Sequence, residues 1–176
     1  MFLKSQLTWN VTIPAENLDT EGMMLQKAIL LHLMNEFATK KASKDLGYFI
    51  AITTLDCVGE GKVRLHTGDL FFPVSFTCIT FKMLLGEVLQ GTVHKILKHG
   101  VFLVCGPAEK VYLSHYKMSG YQYVPGEKPV FRNEKSGTII EKGVVLRFVV
   151  LAEKYNEAEN DFRAVVSMEG DHLGPV

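Results

Sequence analysis

His94, Lys95, Lys98, His99, Phe102 and Tyr112 all fall within one short stretch, GTVHKILKHGVFLVCGPAEKVYLS (91–114). Aromatic rings stack on nucleobases while neighbouring cations meet phosphates, so these types together could make a platform for single-stranded nucleic acid. Covalent chemistry is harder to assemble. Ser114 and His115 are a nucleophile and a base by type, but neighbours in a strand point to opposite faces and could not meet. GEVLQG (86–91) has the glycine spacing of a phosphate loop, yet Thr92 and Val93 stand where a lysine and a magnesium-binding hydroxyl are needed. The histidines at 32, 66, 94, 99, 115 and 172 form no H-x-x-x-H pair for zinc, and Glu157, Glu159 and Asp161 read as a solvated acidic turn. No catalytic residue, metal site or cofactor is expected; the chemistry on offer is binding.

The elements that must hold these residues are strands. Period-two alternation puts Val101, Leu103 and Cys105 on one face and Phe102 with Val104 on the other, and either set could point inward. On the next strand Val111 and Leu113 share a face, and the polar set Lys110, Tyr112 and Ser114 should be the wet one. A five-residue loop from Cys105 to Glu109 would set Phe102 opposite Tyr112 on that wet face. The competing account is a purely stabilising cross-strand pair, or one covered by the segment 115–136.

Composition limits the partners. Apolar residues make up 47% of the 176 and charged ones 22%, enough to fill a core and too apolar for a disordered chain. With 19 basic against 19 acidic residues there is no global positive field, so nucleic-acid contact must come from a local, salt-sensitive patch. Cys57, Cys78 and Cys105 are odd in number and too widely spaced for a metal knuckle, which points to a reducing compartment. Lys4 and polar neighbours interrupt the N-terminus, and no run reaches the roughly 18 to 20 apolar residues of a membrane span. No signal peptide, membrane anchor or membrane partner is expected.

Along the chain, a strand over 2–13 ends at Pro14 and an amphipathic helix follows over 21–40. Leu25, Ile29, Leu33 and Phe37 form its stripe, widened by Leu30 and Met34, with Asp19, Thr20 and Glu21 at its start, Lys40, Lys41 and Lys44 at its end and Gly47 as stop. The helix is more apolar than one small sheet requires, and burial within a packed chain is preferred to a partner face. Strands are expected at 48–54, 62–66 and 69–81, with a hairpin turn at 59–62 and Pro73 marking an edge or a break. That is an α+β unit over 1–81, one long helix on an antiparallel sheet. From 82 to 176 the pattern restarts with strands at 87–97, 100–105, 110–113, 144–152 and 161–168, plus one near 138–140. Five short strands make a small all-β barrel.

The stretch "GEVLQGTVHKILKHGVFLVCG" followed by "VYLS" resembles the S1 RNA-binding module, an OB-type five-stranded barrel. Gly91, Val93, Gly100, Phe102 and Ser114 match its pattern, and Tyr112 stands where many such modules carry histidine. Nearly the whole chain resembles the seventh subunit of RNA polymerase II and its relatives, most specifically in "FKMLLGEVLQGTV", "HGVFLVCGP" and the terminal "GDHLG". "LTWNVTIPAEN" and "NEKSGTIIEKG" resemble the plant variants of polymerases IV and V. The resemblance implies a non-catalytic, nuclear stalk subunit that pairs with a fourth subunit, docks on the large core subunits and meets nascent single-stranded RNA, with a place in RNA-mediated silencing. It implies a polymerase-docking tip domain over 1–81 and an RNA-binding domain over 82–176. Docking would fall to Ile13, Pro14, Gly59, Glu60, Gly61 and Lys62, and RNA contact to His94, Lys98, His99, Phe102 and Tyr112. The alternative is a free-standing S1-type RNA-binding factor.

Overall fold

A computed structural model describes residues 1–15 and 25–176. Among them is one α-helix, and the rest of the regular structure is almost wholly β. The chain divides into two compact units, Phe2–Lys82 and Met83–Val176.

The first unit runs β1 (Phe2–Ile13), α1 (Leu25–Thr39), β2 (Ala42–Ser43), β3 (Gly47–Val58), β4 (Lys62–Val63) and β5 (Leu70–Phe81). Its antiparallel sheet has the order β1-β5-β3-β2, with β4 also on β5. Alternation along β1 sends Leu7, Trp9, Val11 and Ile13 to one face, where Phe72, Val74, Phe76 and Cys78 of β5 join them. Helix α1 covers that face with Ile29, Leu33 and Phe37. Trp9 packs edge-on to Phe76 at 5.0 Å, and the Lys40 ammonium lies 3.7 Å from the Trp9 ring centroid.

Several expectations change here. The helix buries only the narrow stripe, and Leu30 and Met34 do not widen it: with Leu31 they lie exposed, turned about 100° per residue away from the positions that meet the sheet. Asp19, Thr20 and Glu21 lie outside the described residues. The helix stops well before Gly47, where the Lys40 amide reaches the carbonyls of Glu36 and Phe37 and the Thr39 hydroxyl donates to that of Glu36. Gly47 instead opens β3 with φ +83°, where a Cβ would lie 2.3 Å from the Phe81 carbonyl oxygen.

Pro73 marks neither an edge nor a break, because β5 is the central strand. In an extended residue N and O point to the same side, and the Pro73 oxygen accepts from the Gly59 amide at 2.7 Å. Its missing N–H therefore faces the gap where β3 ends and β4 has not begun. β4 is only two residues long and pairs with β5, as β3 does, so 59–61 link two strands on the same side of β5 and make no hairpin turn; β3 runs on to Val58 with bulges at Ile50, Thr53 and Asp56 that blunt its outer edge.

The second unit runs β6 (Val88–Leu97), β7 (Gly100–Cys105), β8 (Ala108–Ser114), a 3-10 turn (His115–Lys117), β9 (Tyr121–Val124), β10 (Val130–Asn133), β11 (Ile139–Ile140), β12 (Val145–Asn156), β13 (Asp161–Ser167) and β14 (Gly174–Pro175). The order β13-β8-β7-β6-β12 closes into a ring through β12–β13 pairing, and β13 lies parallel to β8. Val93, Val101, Leu103, Val111, Leu113, Leu146, Phe148, Ala164 and Val166 fill its interior. β14 carries the chain's end back onto Leu146 and Arg147. The segment 115–136 is more than a loop: β9, β10 and β11 form their own antiparallel sheet around buried Phe131 and Ile140.

Candidate nucleic-acid interface

Burial settles which face of β7 is inward: Val101, Leu103 and Cys105 are buried, leaving Phe102 and Val104 outside. On β8 the outward set is Lys110, Tyr112 and Ser114, and on β13 it includes Arg163 and Val165. Cross-strand register makes a row of Val165, Tyr112, Phe102 and Lys95. The turn joining β7 to β8 is tighter than expected, with Cys105 pairing Ala108, and a bulge in β8 takes up the extra residues. Phe102 still faces Tyr112, with ring centroids 5.1 Å apart and planes tilted by 48°.

Local backbone fixes that pair. The Tyr112 hydroxyl donates to the His99 carbonyl at 2.8 Å, and the His115 amide donates to the same oxygen at 3.0 Å. Gly100 permits the approach: its φ is +155°, and a Cβ would lie 2.3 Å from the Leu113 carbonyl oxygen and 2.8 Å from the Tyr112 hydroxyl. On β6 a bulge at His94 breaks the alternation, so that His94 and Lys95 are both exposed in succession. Lys98 and His99 form the exposed turn that leads into β7. The five residues expected to meet RNA are thus gathered on adjoining strands and one turn.

Charge is unevenly spread over this face. At one end Lys110 meets Glu159 at 2.8 Å and Asp161 at 3.4 Å, and Arg163 meets Glu159 at 3.2 Å. The Glu159 hydrogen bond pushes the Lys110 ammonium above its ordinary range, and the Lys110 and Arg163 hydrogen bonds hold the Glu159 carboxyl below its own. Glu159 and Asp161 are therefore partners of two cations and more than a solvated turn. At the other end His94, Lys95, Lys98 and His99 make no ion pair among the described residues. Lys95, named in the platform by residue type but absent from the contact set that the resemblance implies, is the cation in register with Phe102. Beside His94 and Lys95 lies an open cleft of about 780 Å³ whose charged lining is balanced, Lys128 and Lys142 standing with Glu127 and Glu141.

No protein-family model matches the chain. It is 56% identical over 176 residues to "DNA-directed RNA polymerase V subunit 7" of Arabidopsis thaliana, covering 100% of this chain and 98% of that protein. The chain belongs to the RNA polymerase subunit 7 family. It is also 53% identical over 175 residues to the polymerase IV subunit 7 of the same plant, covering 99% of each. Identity to the Arabidopsis polymerase II subunit 7 is 26% over 155 residues, 88% of this chain and 86% of that one. This member of the subunit 7 family is a plant polymerase IV/V-type variant.

The residues expected to dock gather at one end of the first sheet, where Ile13 and Val63 flank Leu70 from opposite sides. Ile13 has no accessible side chain, being fully buried in the core, because the alternation that makes β1 a strand turns it inward. Pro14 is half-buried, as is Gly59, while Glu60, Gly61 and Lys62 are exposed. Ser114 caps the 3-10 turn, its hydroxyl accepting from the Tyr116 amide at 3.4 Å, and His115 stacks on Tyr116 at 5.0 Å. The GEVLQG segment is mostly strand β6 and no loop. Cys57, Cys78 and Cys105 are free thiols, and burial pushes Cys105 up to about 11.

Proposed function

We propose that this chain is a non-catalytic stalk subunit of nuclear RNA polymerase IV or V, paired with a fourth subunit and guiding nascent single-stranded RNA, and so acting in RNA-mediated silencing. The observation that carries the assignment is the end-to-end similarity to the Arabidopsis polymerase V and IV subunits 7. In this reading the unit Phe2–Lys82 is the tip that docks on the large subunits, through Pro14 and the Gly59–Lys62 segment at one end of its sheet. The unit Met83–Val176 is an S1-type OB barrel. Its ring of five strands and its match to the S1 glycine and aromatic pattern support that identification.

RNA lies on the outer face of β7 and β8. Bases stack on Phe102 and Tyr112, while Lys98, His94 and His99, joined by Lys95, meet phosphates. A neutral chain with one local basic patch suits a subunit that receives RNA at close range and does not gather it from solution. Affinity purification of the tagged protein from plant nuclei, with mass spectrometry of what co-purifies, tests the assignment. The largest subunit of polymerase IV or V and a fourth-subunit homologue are the expected companions. Recovery of a monomer that binds RNA tightly alone and brings down neither would favour the free-standing factor.

A further inference from the structure

We infer that Glu159 sets how tightly the ring's outer face holds RNA, by sequestering Arg163 and Lys110 at the edge of the aromatic row; this rests on the RNA-binding reading above. Arg163 stands two residues before Val165, on the same face of β13, and Val165 pairs with Tyr112. Lys110 stands two residues before Tyr112 on β8. Both cations are therefore placed to reach a phosphate of a strand whose base rests on Tyr112. Neither is available to do so.

The Glu159 carboxylate takes the Lys110 ammonium at 2.8 Å and the Arg163 guanidinium at 3.2 Å, and it is held in place by the Asn156 side-chain amide at 2.8 Å. Lys110 is gripped a second time by Asp161, whose carboxylate is buried and accepts from the Phe162 amide at 2.9 Å. Two cations against two carboxylates leave this edge neutral. Arg163 is the movable member, because its side chain is 59% exposed and Glu159 is its one ion-pair partner among the described residues. A carboxylate facing that edge also repels an incoming phosphate. Glu159 thus occupies the place that a backbone phosphate would take, and confines RNA to the other end of the row, where the cations are unpaired.

The test is Glu159→Gln, which keeps the size and shape of the side chain and one acceptor oxygen, and removes its charge. Binding of a fluorescein-labelled single-stranded oligouridylate to the full-length chain is read by anisotropy across a salt series, with thermal melts to show that the fold is kept. One gained phosphate contact on a single strand steepens the log–log salt slope by about 0.7, which is about fivefold per decade of salt. Glu159→Gln should therefore bind about fivefold tighter at about 0.1 M salt than the parent does, relative to about 1 M. Adding Arg163→Gln to it should abolish most of that gain.

If the parent binds RNA and loses it on Phe102→Ala with Tyr112→Ala, but Glu159→Gln changes nothing, the inference falls while the RNA face stands. A gain that survives Arg163→Gln would overturn it too, since the freed cation would then have no part. Should neither the parent nor Glu159→Gln bind, both readings fail together.

Discussion

The outer face of the first sheet and the outer face of the ring treat their polar groups in opposite ways. On the first sheet, the side away from α1 is knitted to itself. Asp56 accepts from Thr77 at 2.8 Å, Thr54 at 2.9 Å and Gln6 at 3.1 Å, joining β5, β3 and β1, while Thr8 and Ser75 share a hydrogen bond of 2.9 Å. On the ring, the end of the outer face towards β6 presents the Phe102 and Tyr112 rings beside Lys95, Lys98 and two histidines, none of them in an ion pair among the described residues. A face whose donors and acceptors satisfy one another has little to offer a ligand, because any contact must first displace an existing one. A face with open rings and unpaired cations gains on contact. Exposure alone does not separate the two; the state of the polar groups does.

The largest expected effect tests the ring face. Phe102→Ala with Tyr112→Ala should weaken single-stranded RNA binding by about 1–3 kcal/mol for each base that stacks. A companion pair, Phe102→Leu with Tyr112→Leu, keeps apolar cover on the strands and removes only the aromatic faces. Loss of binding in both, with circular dichroism unchanged, is the expected result. If the leucine pair binds like the parent, the rings serve the hairpin and not a ligand.

How far this contrast was legible in sequence depends on how local its causes are. The β1 alternation, the Ile29–Leu33–Phe37 stripe and the Phe102–Tyr112 pair all follow from short-range periodicity, and all appear in the fold. Pro73 misled because the property that excuses it, a gap between β3 and β4, belongs to other strands. Lys95 reaches the aromatic row through a bulge at His94, which strict period-two counting cannot anticipate. Lys110, Glu159 and Arg163 meet because β8 and β13 pair in parallel, a closure that no hairpin rule announces. The acidic turn could be seen; its partners could not. Ile13 shows the opposite case, since the alternation that was read correctly already turns its side chain into the core and leaves only its neighbours accessible.

A smaller effect sharpens the electrostatic half of the comparison. Lys98 lies in the exposed turn before Gly100, and in the proposed reading it meets phosphate without reading a base. Lys98→Ala should weaken binding to all single-stranded sequences alike and flatten the log–log salt slope by about 0.7. Anisotropy titrations on two oligoribonucleotides of different sequence, across a salt series, measure both. A slope equal to the parent's would remove Lys98 from the face.

The smallest effect belongs to the self-satisfied face and appears as pH dependence. The hydrogen bond from Thr77, then those from Thr54 and Gln6, hold the Asp56 carboxyl below its ordinary 3.8. A depressed folded-state value means that the ionised group stabilises the fold above the unfolded value, and that this is lost as pH falls through the lower, folded one. Asp56→Asn removes the charge at every pH. Its Tm should therefore lie below the parent's at neutral pH, and the gap should narrow as pH falls through and below the ordinary carboxylate range. RNA binding should be untouched throughout, since no ligand is assigned to that sheet. A Tm difference that stays constant down to acid pH would mean that the three donors stabilise no charge on Asp56, and that the face is held by packing alone.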